Sequence, residues 1–216
     1  MYTASMRTNV QAEHLVHPQA HEEIAMNATG GNFAGGVAES EQKFKELLLY
    51  ITEQSEGDSS YGATKANKLL FFADFQAYLY LGRSITGRMY ERMNHGPVPV
   101  DIYSTRAEMT QEESLLIFDR DYYGNRQTRF VARRQADLSL FSAEEISLVD
   151  RLIRENWGKS AKEVSDESHR FAGWALARDR EVIPYEVALV SFRELTPAEI
   201  DYGRSLIPLL ERGALQ

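Results

Sequence analysis

The sequence predicts an α+β domain, mostly α: about six or seven helices around a buried central helix, with one small antiparallel β-hairpin. Three observations carry that expectation. A stretch ending at Leu81 holds Leu69, Leu70, Phe71, Phe72, Phe75, Tyr78 and Leu79, apolar on nearly every side, as a helix at the centre of a domain is. Two strand-like runs, Leu115–Phe118 and Thr128–Val131, flank the turn residues Gly124 and Asn125. The C-terminal third is punctuated by helix-start signals.

Taken in order, Phe44, Leu47, Leu48 and Ile51 recur at helical spacing and predict a first helix over about 41–54. The polar stretch Ser55–Tyr61 reads as a loop. Thr64 offers an N-cap for the central helix, and Gly82 stops it after Leu81. A loop over Gly82–Gly87 leads to a short extended piece around Met89–Met93. Asn94-His95-Gly96-Pro97-Val98-Pro99 must then turn, because each proline fixes its own φ and biases the residue before it away from helix. A third helix is predicted over about 100–110, followed by the hairpin. Ser142 with Glu145 forms a capping box for a helix ending at Gly158, and Ser160 with Glu163 repeats it. Thr196, Pro197 and Glu199 open a last helix, which Pro208 should kink.

Residues 1–40 differ from the rest. They hold Gly30, Gly31, Gly35 and Gly36, few large apolar side chains, and His14, His17 and His21. Such a stretch buries too little apolar surface to offset its ordering entropy, so it reads as a flexible N-terminal extension to a domain at 41–216. The three histidines share a face only if the segment is helical, and no carboxylate cage or second layer of partners accompanies them. No metal site is expected there.

Composition narrows the function classes. The 216 residues contain no cysteine, which excludes disulfides, thiol catalysis and cysteine-built metal centres. A net charge of −8 and a pI near 5.2 oppose nucleic-acid binding, with Arg129, Arg133 and Arg134 the local exception to weigh. The same charge suits a basic protein partner, or simply solubility. No apolar run approaches the ~20 residues of a membrane span, and no signal pattern opens the chain, so a cytoplasmic location is expected.

A search for catalytic chemistry finds little. Ser168 and His169 are adjacent, and neighbours on a helix project about 100° apart, so they do not face each other. Glu144, Glu145, Asp166 and Glu167 sit near helix starts, where capping and the helix dipole account for them. Gly82, Gly87 and Gly96 are too dispersed for a phosphate loop. No catalytic residue and no cofactor are implied, and binding rather than catalysis is the expected activity.

The landmarks nonetheless form a series. Lys68-Leu69-Leu70-Phe71-Phe72-Ala73-Asp74, Gly82-Arg83-Ser84-Ile85-Thr86-Gly87 and His95-Gly96-Pro97-Val98-Pro99 resemble the core signature of the Panacea (SocA-like) antitoxin family. Phe141–Glu145, Ser165–His169 followed by Trp174, and Ile183-Pro184-Tyr185-Glu186 have counterparts there, so the resemblance spans about residues 42–205. It implies an antitoxin that neutralises a cognate toxin encoded by the adjacent gene through direct contact. One branch of the family instead resembles a proteolytic adaptor that delivers its toxin to an AAA+ protease. Carriage on phages and mobile elements makes phage defence a plausible setting. Homo-oligomers stay open, and the 1–40 extension lies outside the shared core.

The turn supplies the candidate partner-binding residues: Tyr90, Asn94, His95, Gly96 and Pro97. A glycine before a proline implies a backbone angle, or a close approach, that other residues cannot reach. A rigid, exposed turn beside an aromatic loses little entropy on binding. The competing reading is architectural, with the turn only delivering the third helix to the core.

Overall fold

The computed structural model describes residues 36–189, together with Ala198 and Asp201. Among the described residues there are six α-helices and two small antiparallel two-stranded sheets, an α+β arrangement dominated by helix. Ala198 and Asp201, which fall in the predicted last helix, are helical; its start signals Thr196, Pro197 and Glu199, its kink at Pro208 and the histidines at 14, 17 and 21 lie outside the described residues.

Helix α1 spans Val37–Gln54 and buries Phe44, Leu47, Leu48 and Ile51, the periodic set that located it. It begins at Val37 rather than Glu41. Its first turn is solvent-facing (Val37 is 78% exposed), so hydrophobic periodicity does not reach that far. Helix α2, Ala63–Leu81, is the buried centre. It packs against α1, the later helices and strands of both sheets. Gly62, not Thr64, is its N-cap, and no side chain caps it. The glycine is set by tertiary contact: a Cβ at 62 would lie 2.9 Å from the Thr128 carbonyl oxygen. Gly82 ends α2 in the left-handed conformation, φ +75, with its amide on the Tyr78 carbonyl.

The 94–99 segment is not a turn alone. Strands β1 (Tyr90–Met93) and β2 (Gly96–Pro99) pair from Tyr90↔Pro99 to Met93↔Gly96 around a two-residue tip, Asn94–His95. Prolines 97 and 99 hid this second hairpin from the sequence, because proline demotes a run to non-strand or edge strand. On its other side β1 bonds to 180–183, through Arg92 N–H to Glu181 O at 3.0 Å and Ile183 N–H to Tyr90 O at 2.8 Å.

Helix α3 spans Ile102–Gln111, entered through Asp101 at φ +58. Strands β3 (Leu115–Tyr122) and β4 (Asn125–Ala132) pair along their whole length. The hairpin is longer than its apolar runs because polar cross-strand pairs extend it: Thr128 to Asp119 at 2.7 Å and Arg120 to Gln127 at 2.7 Å. Helices α4 (Ala143–Asn156) and α5 (Ala161–His169) open on the two expected capping boxes. A short α6, Ala172–Leu176, and a 3-10 turn, Tyr185–Leu189, follow.

The core is continuous. Phe71 and Phe75 of α2 meet Tyr90 and Phe171 edge-on, with ring centroids 5.1 to 5.7 Å apart. Tyr185 lies 4.6 Å from Phe75. The Ile183-Pro184-Tyr185 landmark therefore closes the aromatic cluster that begins on α2. None of the described helices is long and apolar enough to cross a membrane.

Candidate functional site

The β1–β2 hairpin is held at its base by Asp74. This α2 carboxylate is fully buried and accepts from Thr86 N–H at 2.7 Å, Thr86 Oγ1 at 2.6 Å and Tyr90 Oη at 2.7 Å. Burial pushes its pKa up while the three donors oppose that rise. The node joins three landmarks: the end of Lys68–Asp74, the Gly82–Gly87 loop and the strand before the turn.

The tip is pinned as firmly. Three alternate backbone carbonyls of the hairpin each receive a side-chain donor from elsewhere in the chain. Trp174 Nε1 donates to Met93 O at 3.0 Å, Ser165 Oγ to His95 O, and Lys68 Nζ to Pro97 O at 2.9 Å. Between them Gly96 has φ +96, and a Cβ there would come under 3.0 Å from both Ser168 Oγ and Lys68 Cε. Both reasons for a glycine, angle and close approach, hold at this position. Lys68, Gly96, Ser165 and Trp174 thus form one mechanical unit, which explains why residues so far apart in sequence appear as one series.

Beside the tip lies an open groove of ≈ 960 Å³ between the first turns of α2, helix α3 and the β3–β4 hairpin. His95, Asn94, Met93 and Val98 form one wall, Tyr103 and Arg106 of α3 another, with Ile117 and Phe130 beneath. Tyr103 is 79% exposed. Such a surface combines apolar contact area with a few fixed donors, the usual make-up of a binding site.

Its electrostatics are unusual. Elsewhere several buried charges are paired: Lys65 with Asp58 at 2.5 Å, Lys43 with Glu145 at 2.9 Å, and Glu46 with Arg134 at 2.6 Å. Arg129 is satisfied by the carbonyls of Asp58, Tyr61 and Glu56. With Arg129 buried on carbonyls and Arg134 paired with Glu46, the cluster weighed for nucleic acid retains only Arg133 as an uncommitted exposed cation among the described residues. Two groove residues differ. Lys68 is 1% exposed and, among the described residues, bonds only to Pro97 O, and burial lowers its pKa to about 7. Arg106 is 6% exposed, donates from Nη2 to Asn67 Oδ1, lies over the Phe130 ring at 4.5 Å, and leaves Nε without a partner. Neither has a carboxylate partner among the described residues. A buried charge left unpaired costs on the order of several kcal/mol.

The predicted site residues divide. Asn94 and His95 are exposed at the tip, as a contact surface requires. Tyr90, Gly96 and Pro97 are buried and belong to the foundation beneath it. Tyr90 is not a surface aromatic flanking the turn, because its phenol is drawn inside by Asp74. Arg106, Tyr103 and Asn67 were not anticipated. The available signal was Arg106 on the same helix face as Ile102 and Met109, a cation where periodicity asks for an apolar residue. Ser168 and His169 do not combine: Ser168 is fully buried and donates to Ser165 O at 2.7 Å, whereas His169 stacks on Trp174 at 3.8 Å.

Comparison with curated proteins gives no match, and neither does comparison with solved structures. The family description "Antitoxin SocA-like, Panacea domain" matches residues 67–175, from Asn67 at the groove, through the pinned hairpin, to just past Trp174. With that match over half its length, and with the matched landmarks assembled around one hairpin, the chain belongs to the SocA-like antitoxin family that carries the Panacea domain.

Proposed function

We propose that this protein is an antitoxin that neutralises a toxin encoded by the adjacent gene through direct protein–protein contact in the cytoplasm, without catalysis. The contact surface is the Asn94–His95 tip together with the groove beside it. One observation carries this reading: an exposed two-residue tip stands on a backbone whose Met93, His95 and Pro97 carbonyls are each held by a side chain from another element. A surface rigid before binding loses little conformational entropy when it docks. Tyr90, Gly96 and Pro97 serve the interface from beneath, by fixing the tip. Phage defence is the setting in which such a pair fits.

Co-expression with the neighbouring gene tests the reading. The neighbour alone should arrest growth, this chain should restore it, and the two should co-purify without ATP or a protease. A harmless neighbour, or a toxic one unaffected by this chain, overturns the antitoxin reading. Rescue that vanishes in a strain lacking its AAA+ proteases would replace masking with delivery for degradation.

A further inference from the structure

The two unpaired cations share one groove, and three independent features converge there. Lys68 is 1% exposed and, among the described residues, pairs with no acid and has one acceptor, the Pro97 carbonyl. Arg106 is 6% exposed and keeps Nε free of any acceptor among the described residues. The first turn of the 19-residue helix α2 lines the same groove through Ala63 and Thr64, and its N-cap, Gly62, supplies no side chain to its amides. That helix end carries partial positive charge, so all three features favour an oxyanion. The surrounding walls, Met93, Val98, Tyr103, Ile117 and Phe130, are largely apolar, and the acid on the lining, Asp179, is paired with Arg92 at 3.8 Å. The acidic chain as a whole, at −8, disfavours a polyanion by its long-range field. A single carboxylate set among apolar neighbours fits both facts.

We propose that the groove is the receptor for one carboxylate side chain of the protein partner, carried on a segment with apolar residues on either side. The assignment rests on the antitoxin reading above and names the chemistry of its interface. The free protein holds the Arg106 guanidinium, and Lys68 whenever it is protonated, buried without a counter-ion, and the partner's carboxylate supplies one. Removing one charge should therefore weaken binding while leaving the fold as stable or more so.

The test uses the full chain, with Lys68→Met as the volume-matched neutral variant and Arg106→Gln as a second. Sodium acetate, with acetamide as its neutral counterpart, is titrated while the Arg106 Nε–Hε resonance is followed. Acetate should give a saturable shift that acetamide does not, and Lys68→Met should abolish it. Toxin affinity should fall at least tenfold in Arg106→Gln, which leaves the Lys68 bond to Pro97 O in place, with the melting temperature unchanged or raised. No response to acetate overturns the carboxylate site whether or not a toxin binds. Saturation by inorganic phosphate well below the acetate range would reassign the groove to a phosphate ligand. An acetate response with unchanged toxin affinity in Arg106→Gln removes the partner's carboxylate from the groove and leaves toxin binding elsewhere intact. If the wild type binds no toxin, the proposed function falls and the acetate arm alone decides whether the anion site exists.

Discussion

Gly96→Ala probes the β1–β2 hairpin where it depends on a residue without a side chain. The added methyl meets two penalties. At φ +96 an L-residue is strained, which costs about 1–3 kcal/mol. Its Cβ would also come under 3.0 Å from Ser168 Oγ and Lys68 Cε. Lys68 can swing aside by giving up its bond to Pro97 O, but Ser168 is short, fully buried and tied to Ser165 O. Overpacking of this kind adds about 1–3 kcal/mol. The total is therefore about 4 kcal/mol, or a fall in melting temperature of about 8–16 °C for a chain of this length. Gly124→Ala is the control: φ is +78 there, nothing lies within 4 Å of the built Cβ, and only the strain, about 2 kcal/mol, should appear. Urea denaturation followed by circular dichroism measures both. Ser168→Ala should recover part of the loss in the Gly96→Ala background and none in the Gly124→Ala background. Equal losses at 96 and 124 would refute the close-approach argument.

Further outcomes follow from the same geometry. His95→Ala removes an exposed side chain while its backbone carbonyl keeps Ser165, so toxin affinity should drop with the melting temperature retained. Lys68 has its pKa lowered by burial to about 7, so between pH 7 and about 10.5 the unfolded chain binds the extra proton. Wild-type stability should then rise with pH through that window relative to Lys68→Met, by up to about 1.4 kcal/mol per pH unit, in urea melts of both proteins. His169, the titratable neighbour on α5, has a pKa lowered from 6.5 first by burial, which keeps its own change below the window. A chain beginning at Gly36 should melt within a few degrees of the full protein. A cut at Glu41 should cost more, since it removes the bond from Ser40 to Thr86 O and frays the turn that holds Glu41 on Arg88.

The legible parts of this fold were those whose signal is local. Capping boxes at Ser142 and Ser160 are written in four residues each, and the helices begin where they point. The all-round apolar stretch at 69–79 announced the buried helix for the same reason. The start of α2 was misplaced onto Thr64 because the constraint on Gly62 comes from Thr128, 66 positions away. Prolines 97 and 99 concealed a strand whose pairing is supplied by β1 and by the Lys68 side chain. At the site, sequence reasoning located the tip and the need for a glycine. It missed the groove, because the groove's residues come from α2, α3 and β4 and converge only in three dimensions. Arg106 stood on an apolar helix face, and that anomaly was the one readable trace of it.

Hydrogen–deuterium exchange of this chain, alone and with its toxin, tests the tip-and-groove contact most directly. Exchange should slow at the Met93–Gly96 tip and along α3 from Ile102 to Gln111, with the outer face of α4 around Arg151 and Glu155 unchanged. Protection confined to that α4 face, with the tip and α3 exchanging as in the free protein, would contradict it.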